Sequence, residues 1–394
     1  MKKIIGIFLT VALASGAHAD TARQAQLLVQ KYPVVDGHVD LPYRLQEHWD
    51  DVAVRTRTGD FDFERAREGG LDAPFMSIYI PATKEGKGAK ALADTLIDQV
   101  EAMVYRNPEK FVIARTADDI RAAHKAGKVA LPLGMENGAA IEGDLANLQH
   151  FYERGIRYIT LAHSKANHIS DSSYDKTKIW QGLSPFGVAL VKDMNRLGVM
   201  VDVSHLSDAA FYQVLEISQV PVIASHSSLR HFTPGLERNV DDKMMKALAK
   251  NGGVLMINFG SYFVHQAAVE WNDNHDAAVA AFEALQGENL TPERRADFDR
   301  RYKEKFPYPY ATVAQVADHI DRAVRIAGID HVGLGSDYDG VGDSLPVGLK
   351  DASSYPNLVA ELLKRKYPER DIAKILGGNV LRVMEANEQY AAGK

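Results

Sequence analysis

Eight short runs of apolar and β-branched residues recur along this 394-residue chain, with helical patterns between them. They fall at about Pro33–Asp36, Ala73–Ile80, Val129–Met135, Tyr158–Ala162, Val199–Val203, Val220–Ala224, Gly253–Phe259 and Val332–Gly335. Near-continuous apolar strands belong to a parallel sheet covered on both faces, and strands alternating with helices favour right-handed βαβ units. About eight such units close a barrel, and a (β/α)8 barrel typically takes ~250 residues, or more than ~400 with insertions. The expected fold class is therefore α/β, a TIM-like (β/α)8 barrel forming one domain over residues 20–394.

Between the runs, Ser207 and Asp241 are well placed to cap helices that begin SDAAFYQVLEIS and DDKMMKALAK. A third helix is expected over Ala314–Ala327. The C-terminal DIAKILGGNVLRVMEANEQY is expected as two helical pieces broken at Gly377-Gly378. Two stretches interrupt the rhythm. Residues 42 to 70 are charged and read as an excursion after the first strand. Residues 261 to 312, between the seventh and eighth strands, read as a helical insertion that lids the barrel mouth, because loops after barrel strands emerge on the active face.

The first residues carry Lys2 and Lys3, an apolar core from Ile4 to Ala14, and Ala17-His18-Ala19 as a small-x-small cleavage site. Residues 1–19 are expected to be a signal peptide, with the mature chain starting at Asp20. The apolar run is shorter than the ~20 residues of a spanning helix. With no cysteine in the chain, thiolate metal sites, thiol nucleophiles and a cysteine lipid anchor are excluded. The expected location is periplasmic or secreted, without a membrane anchor. A net charge of -6 argues against a nucleic-acid partner.

Metal-ligating side chains close several of the apolar runs: His38 and Asp40 in VVDGHVD, Glu136 in LPLGMEN, His205 in VMVDVSH and His226 in VPVIASH. Only the C-terminal strand ends of a barrel converge, so residues distant in sequence can meet there around a pair of ions. His38 and Asp40 lie two apart and point the same way on an extended strand, with Asp36 one step deeper to orient a ligand. Alone, Glu136 is more often a glutamate solvated in a loop. As a ligand, its two oxygens can bridge cations ~3.5–4 Å apart. His205 and His226 end successive strands at matched positions, which is rarely accidental. His163, in YITLAH, reads either as a sixth ligand or as an electrophile polarising a carbonyl. Asp337 reads either as a ligand or as a proton carrier, with Asp339 as its competitor. Arg238 suits a substrate carboxylate, although a surface arginine is as common. A G-x-S-x-G elbow and a G-x-G-x-x-G turn after the first strand are both missing.

On DGHVDLP, GMENG, RYITLAHSKAN, QGLSPFG, NRLGVMVDVSH, PVIASHSS, RNV, GLGSDYDG and GNVLRVMEANE, the chain resembles the membrane (renal) dipeptidase family, a branch of the amidohydrolase-like metal-dependent barrels. The resemblance runs from about Pro33 to Glu388. It implies a zinc enzyme in which His38, Asp40 and Glu136 hold one ion and Glu136, His205 and His226 the other. It implies that His163 binds near the scissile carbonyl, Arg238 holds the C-terminal carboxylate and Asp337 handles the proton. The implied substrates are dipeptides, including those with a C-terminal D-residue; zinc is the implied metal, with manganese or cobalt as substitutes. A homodimer is implied, since family members are often dimers. The other reading of the same scaffold is β-lactam or lactone ring opening. The proline common after RNV is missing here, Ala162 replaces a frequent threonine, and residues 261 to 312 match poorly.

Overall fold

In the computed structural model, which describes residues 19–393 apart from Glu288, the apolar runs close into a barrel. Its strands are β1 (Val34–Val39), β2 (Leu71–Tyr79), β5 (Leu133–Glu136), β6 (Ile156–Thr160), β7 (Met200–Asp202), β8 (Ile223–Ser227), β9 (Val254–Ile257) and β10 (Val332–Leu334). The closed order is β1-β10-β9-β8-β7-β6-β5-β2, and every pairing is parallel. The expected α/β barrel is therefore the observed one. The segment read as a signal peptide lies, except for its last residue, outside the described residues.

Several local expectations need correction. The run Val129–Met135 is two strands. β4 (Val129–Leu131) pairs with β3 (Phe111–Ile113) in a separate two-stranded sheet, and only β5 enters the barrel. Pro132 separates them because it has no N–H to offer a ladder; its carbonyl accepts from Met76 N at 2.8 Å. Gly377-Gly378 does not break the C-terminal helix. A π-turn over Lys374–Gly378 joins helix Glu369–Ala373 to helix Asn379–Ala391. The glycine serves close packing instead, since a Cβ on Gly377 would lie 2.5 Å from the Pro33 carbonyl. The 42 to 70 excursion contains two helices, Leu41–Glu47 and Phe63–Gly69.

The other helical expectations match. Ser207 accepts from Ala210 N and caps Asp208–Ile217, and Asp241 caps Asp242–Asn251. A third helix runs over Val313–Ala327. The insertion, between the seventh and eighth barrel strands, carries helices Ser261–Val264, Gln266–Gln286 and Pro292–Lys305.

The barrel has a closed end and an open end. Val35, Phe75, Tyr158, Met200, Val254 and Met256 form one buried cluster with Val380, Leu381, Val383 and Met384 of the C-terminal helix. Burying each such side chain contributes ~1.5–3 kcal/mol. Asn387 Nδ2 donates to the Pro221 carbonyl ahead of β8, and Arg382 Nη1 to the Gly252 carbonyl ahead of β9. The C-terminal helix therefore plugs the N-terminal ends of the strands, and the C-terminal ends are left to form the mouth.

Candidate metal centre

The ends of β1, β5, β6, β7 and β8 deliver polar side chains into the mouth. His38 lies in β1, Asp40 just beyond it, Glu136 at the last position of β5, and His226 within β8. His163 follows β6 and His205 follows β7. His205 has φ 68°, Asp337 64° and Asp339 65°. These are left-handed conformations that non-glycine residues seldom adopt and that concentrate at functional sites.

Glu136 is the hub. Its Oε2 lies 3.4 Å from His38 Nε2. Its Oε1 lies 3.1 Å from His205 Nε2, 3.4 Å from His226 Nε2 and 3.5 Å from His163 Nε2. Asp40 Oδ2 is 3.5 Å from His38 Nε2. The two carboxylate oxygens thus face different sets of donors, as a bridging ligand requires. His38, Asp40 and Glu136 group around one point, and so do Glu136, His163 and His205. His226 Nε2 is only 2.8 Å from His205 Nε2, so Glu136, His205 and His226 also converge. His38, His226 and Asp337 form a third such group.

The hydrogen bonds fix the tautomers. Tyr158 Oη spends its one proton on the Gly37 carbonyl at 3.0 Å. It must therefore accept from His38 Nδ1, 2.9 Å away, which leaves a lone pair on His38 Nε2. Ser225 Oγ donates to Asp202 Oδ2 at 2.7 Å and so accepts from His226 Nδ1 at 2.7 Å, leaving a lone pair on His226 Nε2 as well. His205 Nε2 accepts from Arg238 Nη2 at 3.0 Å. Two imidazole lone pairs 2.8 Å apart repel unless a cation sits beside both. His38 Nε2 and Asp40 Oδ1 are buried with no hydrogen-bond partner. The donor set of imidazoles and carboxylates suits zinc, and these residues fit it.

The charge balance agrees. Burial first, aided by the Arg238 charge, holds His205 and His226 well below the ordinary imidazole range, so both are neutral, as metal ligation demands. Burial alone would raise Glu136, but His38, His163, His205 and His226 outweigh it and hold it well below its ordinary value. Burial opposes a charge on His38, and Tyr158, Glu136 and Asp40 overcome that to raise it. A positive charge is favoured beside Glu136 and Asp40. Burial lowers His163, keeping that ring neutral too.

Asp337 and Asp339 are told apart by their partners. Asp339 Oδ1 accepts from Asp60 N at 2.6 Å, Asp60 Oδ2 accepts from Asp339 N at 2.8 Å, and Arg44 Nε lies 3.4 Å from Asp339 Oδ2. Asp339 is thus committed to strapping the 42 to 70 excursion to the mouth. Asp337 has one side-chain partner, Asn258 Nδ2 at 2.7 Å. Burial, aided by Asp40 and Glu136, pushes its carboxyl up to about 7. Both line a cavity of 680 Å³ with Asp40, Tyr79, Glu136, His163, Tyr174, His205, His226 and Phe263. Arg238 stands behind that wall and is 3% exposed. It donates to Ser227 Oγ at 2.6 Å and to the His226 carbonyl at 2.7 Å.

The model of the family described as membrane dipeptidase (peptidase family M19) matches residues 22–394. The chain belongs to the membrane dipeptidase family. Mouse dipeptidase 3 is 35% identical over 376 residues, covering 93% of this chain; the chain spans 66% of that protein's length. Dipeptidase tcpJ of Claviceps purpurea is 32% identical, covering 91% of this chain and 78% of that one. Among solved structures, the probable dipeptidase PvdM from Pseudomonas aeruginosa superposes with TM-score 0.83 at 27% identity, covering 95% of this chain and all of that one. A Rhodobacter sphaeroides metallopeptidase, solved with a phosphinate mimic of L-Ala-D-Ala, gives TM-score 0.74 at 25% identity, covering 90% and 99%.

Within this family member, sequence reasoning missed most of the side chains that hold the candidate ligands in place. Asp36, expected to orient a ligand, accepts from His38 N at 2.9 Å, from Ser336 N at 3.0 Å and from the Tyr355 hydroxyl, so it holds the His38 backbone and not its ring. The ring of His38 is held by Tyr158, which reads as an ordinary strand residue. Ser225 sits beside His226 in ASHS, and that adjacency was the available signal. Asn258, in INFG, carried none.

Proposed function

We propose that the chain is an exported binuclear zinc dipeptidase that hydrolyses the peptide bond of dipeptides, including those ending in a D-residue. The observation that carries this reading is the Glu136 carboxylate, one oxygen facing His38 and the other facing His163, His205 and His226. His38, Asp40 and Glu136 would hold one ion, and Glu136, His205 and His226 the other. When bound, the two cations supply a water of lowered pKa and positive charge beside the scissile carbonyl.

The chain's own groups do the rest. His163, neutral and at the cavity wall, donates to the developing oxyanion. Asp337 takes the proton of the attacking water and returns it to the departing nitrogen. Neighbouring cations would favour its ionised, proton-accepting form. Arg238, its terminal nitrogens held by Ser227, His205 and the His226 carbonyl, supplies positive charge from behind the wall for the substrate's terminal carboxylate. The relative bound to the L-Ala-D-Ala mimic supports a D-residue at the second position. The leader with Lys2, Lys3 and Ala17-His18-Ala19 supports export, with N-terminal sequencing expected to begin at Asp20.

The test is a panel of L,L, L,D and D,D dipeptides with one β-lactam, assayed with metal-depleted and zinc-restored protein. Dipeptide cleavage that disappears with the metal and returns with zinc is expected. Ring opening of the β-lactam with no dipeptide cleavage would replace this reading with the other amidohydrolase chemistry.

A further inference from the structure

The insertion between β9 and β10 builds a second cavity against the first. This lobe of 370 Å³ is lined by Tyr262, Trp271, Asn272, Lys303, Tyr308 and Asp343, and it shares Phe263, Gly340 and Val341 with the main cleft. Those three residues border both, so the lobe and the cleft adjoin there.

The lobe has a definite chemistry. Trp271 and Tyr308 meet edge to face with centroids 5.0 Å apart, and Tyr262 and Phe263 do the same at 5.2 Å. Trp271 Nε1 is bonded to the Phe306 carbonyl at 2.8 Å, which fixes the indole plane. The lobe's two charges cancel: Lys303 Nζ lies 3.1 Å from Asp343 Oδ2. A neutral pocket walled by rings favours a flat uncharged group over an anion or a cation.

Its position selects one end of the substrate. The Arg238 guanidinium lies 5.3 Å from the centroid of Phe263, so a residue that borders both cavities sits beside the charge proposed for the substrate carboxylate. Gly260 allows the close fit, since a Cβ there would lie 2.9 Å from Val341 Cγ1 and 3.1 Å from Phe263 Cδ2.

We propose that this lobe is a specificity subsite for an aromatic side chain on the carboxylate-bearing residue of the substrate, with Trp271 and Tyr308 as its walls. The proposal rests on the dipeptidase reading and narrows its substrate class.

The test compares kcat/KM for Ala–Trp and Ala–Ala in the zinc-loaded full chain, in Trp271→Ala, which removes a wall, and in Asn272→Trp, which fills the lobe. Zinc content reports that the centre survives in each variant. The wild-type protein should favour Ala–Trp, and both variants should lower the Ala–Trp to Ala–Ala ratio by ~10-fold through KM, the scale of a lost apolar contact in a specificity pocket. An unchanged ratio in both variants, or a wild-type preference for Ala–Ala, overturns the subsite while leaving dipeptide cleavage intact. Failure to cleave either peptide instead removes the dipeptidase reading, and the subsite falls with it.

Discussion

The barrel mouth and the helical insertion use the same side chains to opposite ends. In the insertion, His275 Nε2 pairs with Asp299 Oδ1 at 2.9 Å, and its ring stacks on Trp271 at 5.1 Å. Arg295, Arg300 and Arg301 pair with Asp299, Glu304 and Asp297 at 2.8–3.0 Å along helix Pro292–Lys305, which buries no residue. These charges have opposites in reach of water, and such exposed pairs contribute ~0–1 kcal/mol each. At the mouth, four imidazoles crowd one buried carboxylate, and His38 Nε2 and Asp40 Oδ1 are left without a partner. A histidine beside an aspartate is therefore not a site. A buried set of lone pairs that cannot satisfy one another is.

Changes at the mouth should be large, and they grade by what is touched. Asp337→Asn should lower kcat by ~10²–10⁴-fold, the usual contribution of a positioned proton carrier, with bound metal retained. Metal loss in that variant would make Asp337 a ligand, in keeping with its grouping with His38 and His226. Tyr158→Phe removes the acceptor that fixes the His38 tautomer and should weaken zinc affinity by ~10–100-fold, read by competition with a chelator. An unchanged affinity would show that His38 needs no such support.

Asp339 ties the 42 to 70 excursion to the mouth. Burial, first among its causes, pushes its carboxyl up to about 7 from 3.8. The folded chain therefore holds a proton there that the unfolded chain has lost, and the stability this contributes is complete below pH 3.8 and lost as pH rises through about 7. Denaturant midpoints of metal-free protein at pH 5 and pH 8 should show this component, and Asp339→Asn should abolish it. In the insertion, His275→Ala should cost only about 1–2 kcal/mol, as for one buried polar contact, and leave zinc content unaltered. A loss of metal there would tie the insertion to the centre and erase the contrast drawn above.

The sequence was legible where local chemistry and global fold agree. Parallel barrel strands are buried on both faces and so read as apolar runs. The two-residue alternation of an extended chain brought His38 and Asp40 to one face before any coordinates. Legibility failed where the decisive partner is distant or the cue too short. Phe111–Ile113 spans three residues, and Pro132 passes unnoticed inside an apolar stretch. Tyr158 lies 120 residues from the histidine it holds. Asp337 and Asp339 look alike in SDYDG, and only the strap to Asp60 and Arg44 separates them.

The account depends on Glu136 holding two cations at once. Its most direct test is a zinc titration of metal-depleted protein, following dipeptide hydrolysis against bound metal. Activity should reach its plateau at two equivalents per chain, and Glu136→Gln should bind zinc weakly and remain inactive at any concentration. Full activity at one equivalent, or in protein free of transition metal, would contradict it.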